Sequence, residues 1–522
     1  KRAKNIMICD LEQHARLVAV LARRLDLEVY ETHISSVLVG GGRAWKLKKP
    51  VDLGFLDFST LERRKHACEE EVRLNGRLAP DVYQRVASIT GSIEDPVIDG
   101  DGEVIEYAVQ MREFPADSLL ADCPELLDEA RIDEIAEQVA RFQREAAVAS
   151  AASGYGQPDA VLAPMQQNFD QILARIDDPA ESERLLAMQQ WTLTRFEALH
   201  DDLEQRVADG RIREGHGDMH LGNIAIEHGQ TIIFDGIEFN VGLRWIDVIN
   251  EVAFLMMDLD MAGRHDLSQR FLNRWLAFSG DFSGLRLLTF YLVYRAMVRM
   301  KIAVPRLQQQ LDQDERDRME QQFRSYLALA EGYARPASPA VLLMSGPSGS
   351  GKSVVVRRLF SRLAVIQLAS DVERKRLAGL DPLDRSGSEP GGGIYTRDMG
   401  QKTYARLLEL CREVVEAGYV AAADATFLRC EQRRPFGELA QELDVPFLIL
   451  EMQTPVELLK QRIRKRLQRS DDPAEATIEV LEMQLASAEP LTPEESKQSL
   501  VISPELADSE ELAPLVASLL GR

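Results

Sequence analysis

The stretch "GPSGSGKS" at residues 346–353 decides the fold of the second part of the chain. An apolar run, "VLLMS" at 341–345, precedes it, and a helical pattern, "SVVVRRLFSRL", follows it. Gly346, Gly349 and Gly351 allow backbone N–H groups to turn inward around phosphate oxygens, and the start of the helix adds a partial positive charge. This strand–loop–helix order predicts a loop that binds nucleotide phosphates, in preference to a simple Gly/Ser-rich turn.

Two side chains at the end of this loop complete the predicted site. Lys352 is expected to neutralise the β- and γ-phosphates, and Ser353 is expected to hold Mg²⁺ through its hydroxyl group. The predicted cofactors are therefore ATP and Mg²⁺. The motif does not distinguish ATP from GTP.

Strands and helices alternate after this loop. The apolar runs "AVIQLAS", "YVAAAD" and "PFLILEM" are separated by helical patterns. This order predicts parallel strands joined by crossover helices, and hence an α/β domain with a doubly wound parallel sheet. The Gly/Pro-rich segment at 379–396 is predicted to be a loop near a site.

Acidic residues follow two of the predicted strands. Asp371 lies in "ASDVERKR", where it could accept a proton from an attacking hydroxyl group while Arg374 holds the acceptor. The alternative is that Asp371 only caps the following helix. Asp424 ends "YVAAAD", and a carboxylate at that position could orient the waters of Mg²⁺.

A row of arginines occurs in "LLKQRIRKRLQR". Arg462, Arg466 and Arg469 have i, i+4 and i+7 spacing on the predicted helix. Such a row is usually a solvated basic face. Beside a phosphate-binding loop, it favours a lid of arginines that closes on the transferring phosphate.

These residues, over about 341–495, resemble the P-loop kinases of the zeta-toxin, gluconate-kinase and polynucleotide-kinase type. The resemblance implies that Asp371 is the base and that Arg374 clamps the acceptor. It also implies that the arginines after the fourth strand, here Arg462 and Arg466, form the lid. Acceptors in that group range from sugars to antibiotics to nucleic-acid ends, so the resemblance indicates the reaction better than the substrate.

A second cluster of functional residues lies in "GHGDMHLGNIAI" at 215–226 and in "TIIFD" at 231–235. Phosphoryl transfer from ATP needs a carboxylate near the acceptor hydroxyl and groups that hold metal ions on the phosphates. Asp218 fits the first role, and Asn223 and Asp235 fit the second. The step from Asp218 to Asn223 is the one found in the catalytic loop H-R-D-x-x-x-x-N.

Two other interpretations of this cluster are possible. His216 and His220 have the i, i+4 spacing of metal ligands on a helix, but the glycines around them argue against a helix, and no H-E-x-x-H pattern is present. The stretch could also be a plain surface turn, because Gly, Asp and Asn are turn residues. The ordered set with kinase spacing favours a phosphotransferase site over both.

The stretch resembles the H-G-D-x-H-x-x-N loop of the aminoglycoside phosphotransferase and choline kinase branch, over about residues 37–254. This resemblance implies an α+β protein-kinase-like fold with a small β-rich lobe and a helical lobe. In such a lobe a strand lysine, paired with a helix glutamate, holds the nucleotide phosphates. Lys46 and Glu71 are the preferred pair, while Lys48 and Glu70 stay open as alternatives.

The two parts meet at a predicted linker, "ARPASPA" at 334–340, which combines prolines with small residues. A chain of 522 residues is too long for one hydrophobic core. We therefore expect a kinase-like domain at 1–335 and a P-loop kinase domain at 336–522, an order that resembles a bacterial fusion family. The resemblance further implies that Asp247 braces the catalytic loop of the first domain.

Composition limits the partners. The formal net charge of −22 disfavours extended nucleic acid, which attracts basic surfaces, while it permits a local basic pocket for a small phosphorylated ligand. The apolar run at 287–304 is interrupted by Arg295, Arg299 and Lys301, so it predicts a buried helix and no membrane partner.

The expected location is the cytoplasm. The five cysteines are scattered without a C-x-x-C pair, which is typical of reduced thiols. The chain starts at Lys1 without a methionine, so a short leader could be missing, but the first residues show no signal-peptide pattern.

These observations lead to one main hypothesis. The sequence predicts a bifunctional, Mg²⁺-dependent kinase in which each domain transfers the γ-phosphoryl group of ATP to a hydroxyl group of a small molecule. The alternative is one catalytic domain with a nucleotide-binding regulatory domain. The sequence leaves the acceptors and the oligomeric state open.

Overall fold

The computed structural model describes residues 8–521 except positions 9, 55, 308–311, 389–391 and 467–472, and at 116, 304–307 and 466 it describes only the backbone. Backbone packing divides the chain into two compact units. The first is Lys1–Ile135, Phe142–Asn168 and His200–Asp258, and the second is Ala136–Arg141, Phe169–Leu199 and Leu259–Arg522. Since this division reflects packing alone, the domain boundary between 335 and 336 stays a prediction.

The strands follow the chain in this order: β1 (Glu28–Glu31), β2 (Ser35–Gly40), β3 (Arg43–Lys48), β4 (Tyr83–Gly91), β5 (Pro96–Ile98), β6 (Val104–Arg112), β7 (Ile212–Glu214), β8 (Ile224–Glu227), β9 (Gln230–Ile233), β10 (Trp245–Asp247), β11 (Ala340–Ser345), β12 (Val365–Ala369), β13 (Val420–Asp424), β14 (Phe447–Met452) and β15 (Ser499–Ile502).

The helices are α1 (Leu11–Leu25), α2 (Leu61–Asn75), α3 (Glu129–Glu145), α4 (Pro158–Leu173), α5 (Pro179–Ala198), α6 (His200–Ala208), α7 (Val241–Arg244), α8 (Val248–Met261), α9 (His265–Ser279), α10 (Leu285–Leu307), α11 (Gln313–Tyr333), α12 (Lys352–Leu359), α13 (Ser370–Leu377), α14 (Arg397–Glu416), α15 (Cys430–Glu442), α16 (Val456–Arg466), α17 (Ile478–Ala486), α18 (Pro493–Ser496), α19 (Pro504–Ala507) and α20 (Leu512–Leu519).

The first unit contains a six-stranded antiparallel sheet with the order β1-β2-β3-β6-β4-β5. The predicted hairpin joins β2 to β3, and its turn uses Gly41 and Gly42 with φ values of 64° and 79°, which favour glycine. Lys46 on β3 lies opposite Val37 of β2 and Val109 of β6. The lysine is therefore held in the middle of the sheet.

Helix α2 follows β3 and packs on β4 and β6. It begins where the side chain of Thr60 accepts a hydrogen bond from the backbone N–H of Arg63. Its buried face includes Cys68, which joins Val82 and Val109 in one apolar cluster. Glu71 lies on the same helix and is fully buried, so the helix brings a carboxylate to the sheet face.

The second unit contains a five-stranded parallel sheet with the order β12-β13-β11-β14-β15. The predicted strands around β11, β12, β13 and β14 are present, and β11 and β13 are buried along their whole length. Its core joins the sheet to α12 and α20 through Met344, Val356 and Val516. The sequence did not predict β15, a short strand with a partly exposed pattern.

The predicted fold class is confirmed by these topologies. An antiparallel, strand-rich part followed by helices precedes a doubly wound parallel sheet. The buried helix expected at 287–304 is α10, in which Tyr291 and Met297 are almost fully buried. No described helix, α10 included, has the uninterrupted apolar length that a membrane crossing needs.

Candidate active sites

The loop that carries Asp218 connects β7 to β8 in the first unit. It is not helical except for one short 3-10 turn at Leu221–Asn223. Gly217 adopts φ 85°, and a Cβ atom there would lie 2.7 Å from the carbonyl oxygen of Leu243. Glycine is therefore required at the position where the protein-kinase motif has arginine.

Asp218 and Asn223 are in direct contact across this loop. The amide nitrogen of Asn223 donates to the backbone carbonyl of Asp218 at 2.9 Å and to its Oδ2 at 3.2 Å. Because the nitrogen is used in these bonds, the amide oxygen is the atom that Asn223 would offer to a cation. Nε2 of His220 lies 3.5 Å from Oδ2 of Asp218.

The two histidines of the loop do not form a pair of metal ligands. Nε2 of His216 lies 2.8 Å from the carbonyl oxygen of Phe234, and its Nδ1 accepts from the N–H of Asp218. Nδ1 of His220 accepts from the N–H of Gly222. Burial lowers the pKa of His216, and this effect outweighs the opposite effect of the negative charges of Glu251 and Asp218. Neutral His216 therefore supports the loop backbone, and the histidine metal site is disfavoured.

A buried chain of opposite charges crosses the small lobe. Nζ of Lys46 is 2.8 Å from Oε1 of Glu71 and also contacts Asp235. Nζ of Lys48 contacts Oε2 of the same Glu71 and reaches Glu238. Burial alone would raise the pKa of Glu71, but the two lysines outweigh it and hold that pKa at about 2. The carboxylate of Glu71 is therefore ionised and shared by both lysines.

The geometry distinguishes between the alternatives that the sequence left open. Lys46 contacts Asp235, whose side chain is 43% exposed, whereas Lys48 is fully buried. Glu70 points elsewhere, because it pairs with Arg73 at 2.8 Å and with Arg244 at 3.0 Å. The arrangement therefore favours Lys46 with Glu71 at the candidate site, with Lys48 behind it.

Asp235 follows β9 in an unusual backbone conformation. Its φ is 63°, a left-handed value that is uncommon for residues other than glycine. Two side chains that the sequence did not single out hold this bend: the hydroxyl of Tyr83 accepts from the N–H of Asp235, and Oδ1 of Asn75 accepts from the N–H of Gly236. Strain of this kind, held by surrounding contacts, is common at functional sites.

The prediction for Asp247 is wrong. Its carboxylate holds the buried guanidinium of Arg206, with Oδ2 at 2.8 Å from Nε. The loop that carries Asp218 is braced instead by Glu251, one helical turn further on, whose Oε1 accepts from the N–H groups of His216 and Gly217. The motif suggested a bracing carboxylate near this position. Only the fold shows that the carboxylate that reaches the loop belongs to α8 and not to the residue before it.

The phosphate-binding loop of the second unit connects β11 to α12. Gly349 and Gly351 have φ values of 82° and 97°, and a Cβ atom on Gly349 would lie 3.1 Å from the carbonyl oxygen of Leu459. Gly346 is equally tight, because a Cβ atom there would lie 2.8 Å from that of Met452. All three glycines are therefore needed for this loop to close.

The side chains of Lys352 and Ser353 lie at the start of α12. Nζ of Lys352 donates to the carbonyl oxygens of Gly346 and Pro347, at 3.0 Å each. The hydroxyl of Ser353 donates to Oδ2 of Asp424 at 2.6 Å. The serine and the carboxylate predicted to act on one metal ion are thus in direct contact.

Gln367 is a further member of this group that the sequence did not indicate. It lies on β12, opposite Ala422 of β13, and its Nε2 donates to Oδ2 of Asp424 at 2.7 Å. Asp424 is only 5% exposed, so the two donors, Ser353 and Gln367, fix the direction of a buried carboxylate.

Asp371 and Arg374 are paired on α13, with Nη1 of Arg374 at 2.6 Å from Oδ1 of Asp371. Helix α13 begins at Ser370 and its N-cap residue is Ala369, so Asp371 is not the cap that the alternative interpretation required. The guanidinium of Arg374 also lies over the ring of Tyr395, 5.0 Å from its centroid. The loop predicted at 379–396 therefore contributes an aromatic ring beside this pair.

One arginine of the predicted lid lies against the phosphate-binding loop. Nη1 of Arg462 on α16 donates to the carbonyl of Ser350 at 3.1 Å and lies 3.4 Å from that of Gly349. The side chain of Arg466 and all of Arg469 lie outside the described residues. Their part in the lid stays a prediction.

Comparisons with known proteins give one family match and several similar chains. Residues 341–491 match the family described as AAA domain. An uncharacterized protein of Mycobacterium tuberculosis is 29% identical over 467 residues, which cover 87% of this chain and 88% of that protein. An uncharacterized protein of Mycobacterium bovis shows the same identity over the same lengths.

Several solved structures are similar to this chain over different shares of its length. The choline kinase of Cryptosporidium parvum covers 61% of this chain and 96% of its own, with 9% identity and a TM-score of 0.40. The amicoumacin kinase hAmiN in complex with AMP-PNP, Ca²⁺ and Ami covers 61% of this chain and 95% of its own, with 13% identity and a TM-score of 0.38. A sugar kinase of Janibacter covers 36% and 95%, with 20% identity and a TM-score of 0.26.

The family match and the geometry concern the same residues. The phosphate-binding loop, the Asp371–Arg374 pair and the buried Asp424 all fall between 341 and 491. Over residues 341–491, the chain therefore carries a P-loop domain that matches the AAA-domain family.

Proposed function

We propose that this protein is a bifunctional phosphotransferase that uses ATP and Mg²⁺. Each of its two sites would transfer the γ-phosphoryl group of ATP to a hydroxyl group of a small molecule. One observation carries the proposal: on unrelated sheets, each unit has a lysine, oxygen donors suited to Mg²⁺ and a further carboxylate. In the first unit Lys46 contacts Asp235 and Asn223 contacts Asp218. In the second unit, which has Lys352, Ser353 contacts Asp424 and Arg374 contacts Asp371. This is the set of groups that phosphoryl transfer needs.

At the first site, Asn223 and Asp235 would hold Mg²⁺, which neutralises charge on the phosphates when it is bound. Both offer hard oxygen atoms, and the carboxylate of Asp235 is partly exposed and therefore accessible to a cation. Lys46, fixed by Glu71, would contact the phosphates next to this position. The charged chain then keeps the cationic end of Lys46 in place before the nucleotide arrives.

Asp218 would position the acceptor at this site. Its carboxylate is held by Asn223 and lies close to His220, so it can accept the proton of an incoming hydroxyl group as the oxygen attacks phosphorus. The brace from Glu251 holds the loop backbone at His216 and Gly217, directly before Asp218. Removal of the brace should therefore misplace the acceptor and leave the nucleotide bound.

At the second site, Lys352 and the backbone of the glycine-rich loop would bind the phosphates. Ser353 and Asp424 would hold Mg²⁺ and its waters, and their contact of 2.6 Å supports a shared role. Asp371 would accept the acceptor proton while Arg374 holds the acceptor, and Arg462 would approach the transferring group from α16.

The test is a screen of hydroxylated metabolites with γ-labelled ATP and the purified full-length protein. We expect labelled products whose formation separates into two classes, one lost in Asp218→Asn and the other lost in Asp371→Asn. A double variant should form neither. If one substitution removes all products and the other removes none, the bifunctional proposal fails. The domain whose substitution has no effect is then a nucleotide-binding regulator.

A further inference from the structure

Strand β12 forms one edge of the parallel sheet and pairs with β13 on its other side. An edge strand presents backbone N–H and C=O groups that lack a neighbouring strand. A side chain from α9 takes that place. Oδ1 of Asn273 accepts from the N–H of Gln367 at 2.6 Å, and its Nδ2 donates to the carbonyl of Val365 at 2.8 Å. One buried amide thus reproduces the hydrogen bonds of a parallel strand neighbour.

This contact reaches the candidate metal site in two steps. Asn273 fixes the backbone of Gln367, and the side chain of Gln367 donates to Oδ2 of Asp424. The same oxygen accepts from the hydroxyl of Ser353. The side chains of Asn273 and Asp424 are buried, and that of Gln367 is partly buried. Water therefore competes little with these hydrogen bonds. The position of Asn273 therefore influences the direction of the carboxylate that faces the serine.

A second contact joins the same helix to α13, which carries Asp371. Nη2 of Arg376 donates to the carbonyl oxygens of Leu276 and Ala277 at the C-terminal end of α9, at 3.1 Å to Leu276. The carbonyl of Leu276 also accepts from the N–H of Gly280, the residue that ends the helix, at 2.9 Å. A cation is favoured at the C-terminal end of a helix. The helix closes at Gly280 with φ 65°, and a Cβ atom at that position would lie 2.8 Å from Nε of Arg376. Helix α9 therefore contacts both β12, through Asn273, and α13, through Arg376.

We propose that α9 is a positioning element of the second phosphotransferase site. It acts through Asn273 on the Asp424–Ser353 pair and through Arg376 on the helix of Asp371. The inference rests on the proposed function, since it assumes that this pair holds Mg²⁺. It also extends the working part of the second site beyond the predicted boundary at 336, so a fragment cut there would keep β13 and lose the contacts of Asn273 with the edge of β12.

The experiment uses the full-length chain with Asn273→Leu, which keeps the approximate size and removes both hydrogen bonds. Asn273→Asp is the conservative variant, because it keeps the acceptor for the N–H of Gln367 and loses the donor to Val365. The matched control is Arg274→Gln on the same helix, where the guanidinium contacts Glu137 at 2.9 Å and not β12. Each variant must retain a cooperative unfolding transition.

Two quantities are measured for each variant. The first is hydrogen exchange at the amide of Gln367. The second is the gain in affinity that Mg²⁺ gives to a fluorescent ATP analogue at the P-loop site, taken as the difference from the same variant carrying Lys352→Ala. In Asn273→Leu, we expect the amide of Gln367 to exchange faster. We also expect the Mg²⁺-dependent gain in affinity to be about five- to tenfold smaller than in the wild type, which corresponds to the free energy of one lost buried hydrogen-bonding pair. Asn273→Asp should lie between this variant and the wild type.

Three outcomes separate the two proposals. If Asn273→Leu speeds exchange at Gln367 but keeps the full Mg²⁺-dependent gain, the contact is structural only and the inference about α9 fails. If Arg274→Gln has the same effect as Asn273→Leu, the effect is not specific to β12 and the inference fails as well. If the wild type shows no Mg²⁺-dependent gain that Lys352→Ala removes, the proposed function of the second site fails.

Discussion

The two lysines of β3 give the sharpest test of the first site. Lys48 is fully buried between Glu71 and Glu238, whose side chains are 0% and 4% exposed. In Lys48→Met, the buried carboxylate of Glu238 would lose its ion pair. Removing one partner from a buried pair costs about 3–5 kcal/mol, because the remaining charge stays uncompensated. Lys46→Met should cost less, because Glu71 keeps Lys48 and the partly exposed Asp235 can be hydrated.

The same two substitutions should have the opposite order of effects on function. Lys46→Met removes the cation beside Asp235, so ATP affinity at the first site should fall sharply. Lys48→Met should change that affinity much less wherever the protein is folded. Lys49→Met is the matched control, because this neighbouring lysine pairs with Glu31, whose side chain is 53% exposed and can be hydrated when the lysine is removed.

Stability is best measured locally, because a chain with two compact units is not expected to unfold in one step. In Lys48→Met, hydrogen exchange of peptides from β3 and α2 should show protection reduced by about a hundredfold or more. This follows because each loss of about 1.4 kcal/mol in stability lowers the protection factor tenfold. Adding Glu238→Leu should restore most of it, because the uncompensated charge is gone. ATP affinity is measured by calorimetry in a Lys352→Ala background. Normal protection in Lys48→Met, together with normal ATP affinity in Lys46→Met, would refute the assigned roles.

Three further predictions concern the first unit. In a Lys352→Ala background, Asp218→Asn should bind Mg-ATP almost normally and lose phosphoryl transfer. In the same background, Asp235→Asn should weaken Mg²⁺-dependent ATP binding about tenfold or more. Titration calorimetry measures the binding, and single-turnover assays measure the transfer. Glu251→Gln should lower kcat about 10- to 100-fold with little change in ATP affinity, since it loosens the loop that aims Asp218; an unchanged kcat would exclude a bracing role. Burial lowers the pKa of His14 from 6.5 to about 4, so its stabilising contribution is complete above pH 6.5 and is lost as the pH falls towards 4. At pH 4.5 this loss is about 2–3 kcal/mol, and the local stability of His14→Gln should lack this part of the pH dependence.

Features that depend on neighbouring residues were predicted well from the sequence. The glycine-rich loop, the Asp218-to-Asn223 step and the β2–β3 hairpin each need only residues close together in the chain. The parallel sheet was also predictable, because alternating strands and helices leave few other arrangements.

Features that depend on distant contacts were not predicted. Lys46 and Lys48 lie on one face of β3, so the pattern alone could not tell them apart, and in the fold both reach Glu71. The resemblance pointed to Asp247, and nothing in the local sequence shows that the carboxylate of Glu251 turns towards the loop. Asn273 gives no signal at all, because its role appears only when α9 meets the edge of β12.

The central claim is that the chain has two separate ATP sites, and the most direct measurement is the number of ATP molecules bound per chain in the presence of Mg²⁺. Titration calorimetry should give two sites for the wild type and one for Lys352→Ala. When Asp235→Asn is added to Lys352→Ala, that one remaining site should bind ATP about tenfold or more weakly. The site that remains in Lys352→Ala should keep its wild-type affinity within a few-fold, as expected for separate pockets. If Lys352→Ala binds no ATP, or if it still binds two molecules, the account of two independent sites is contradicted.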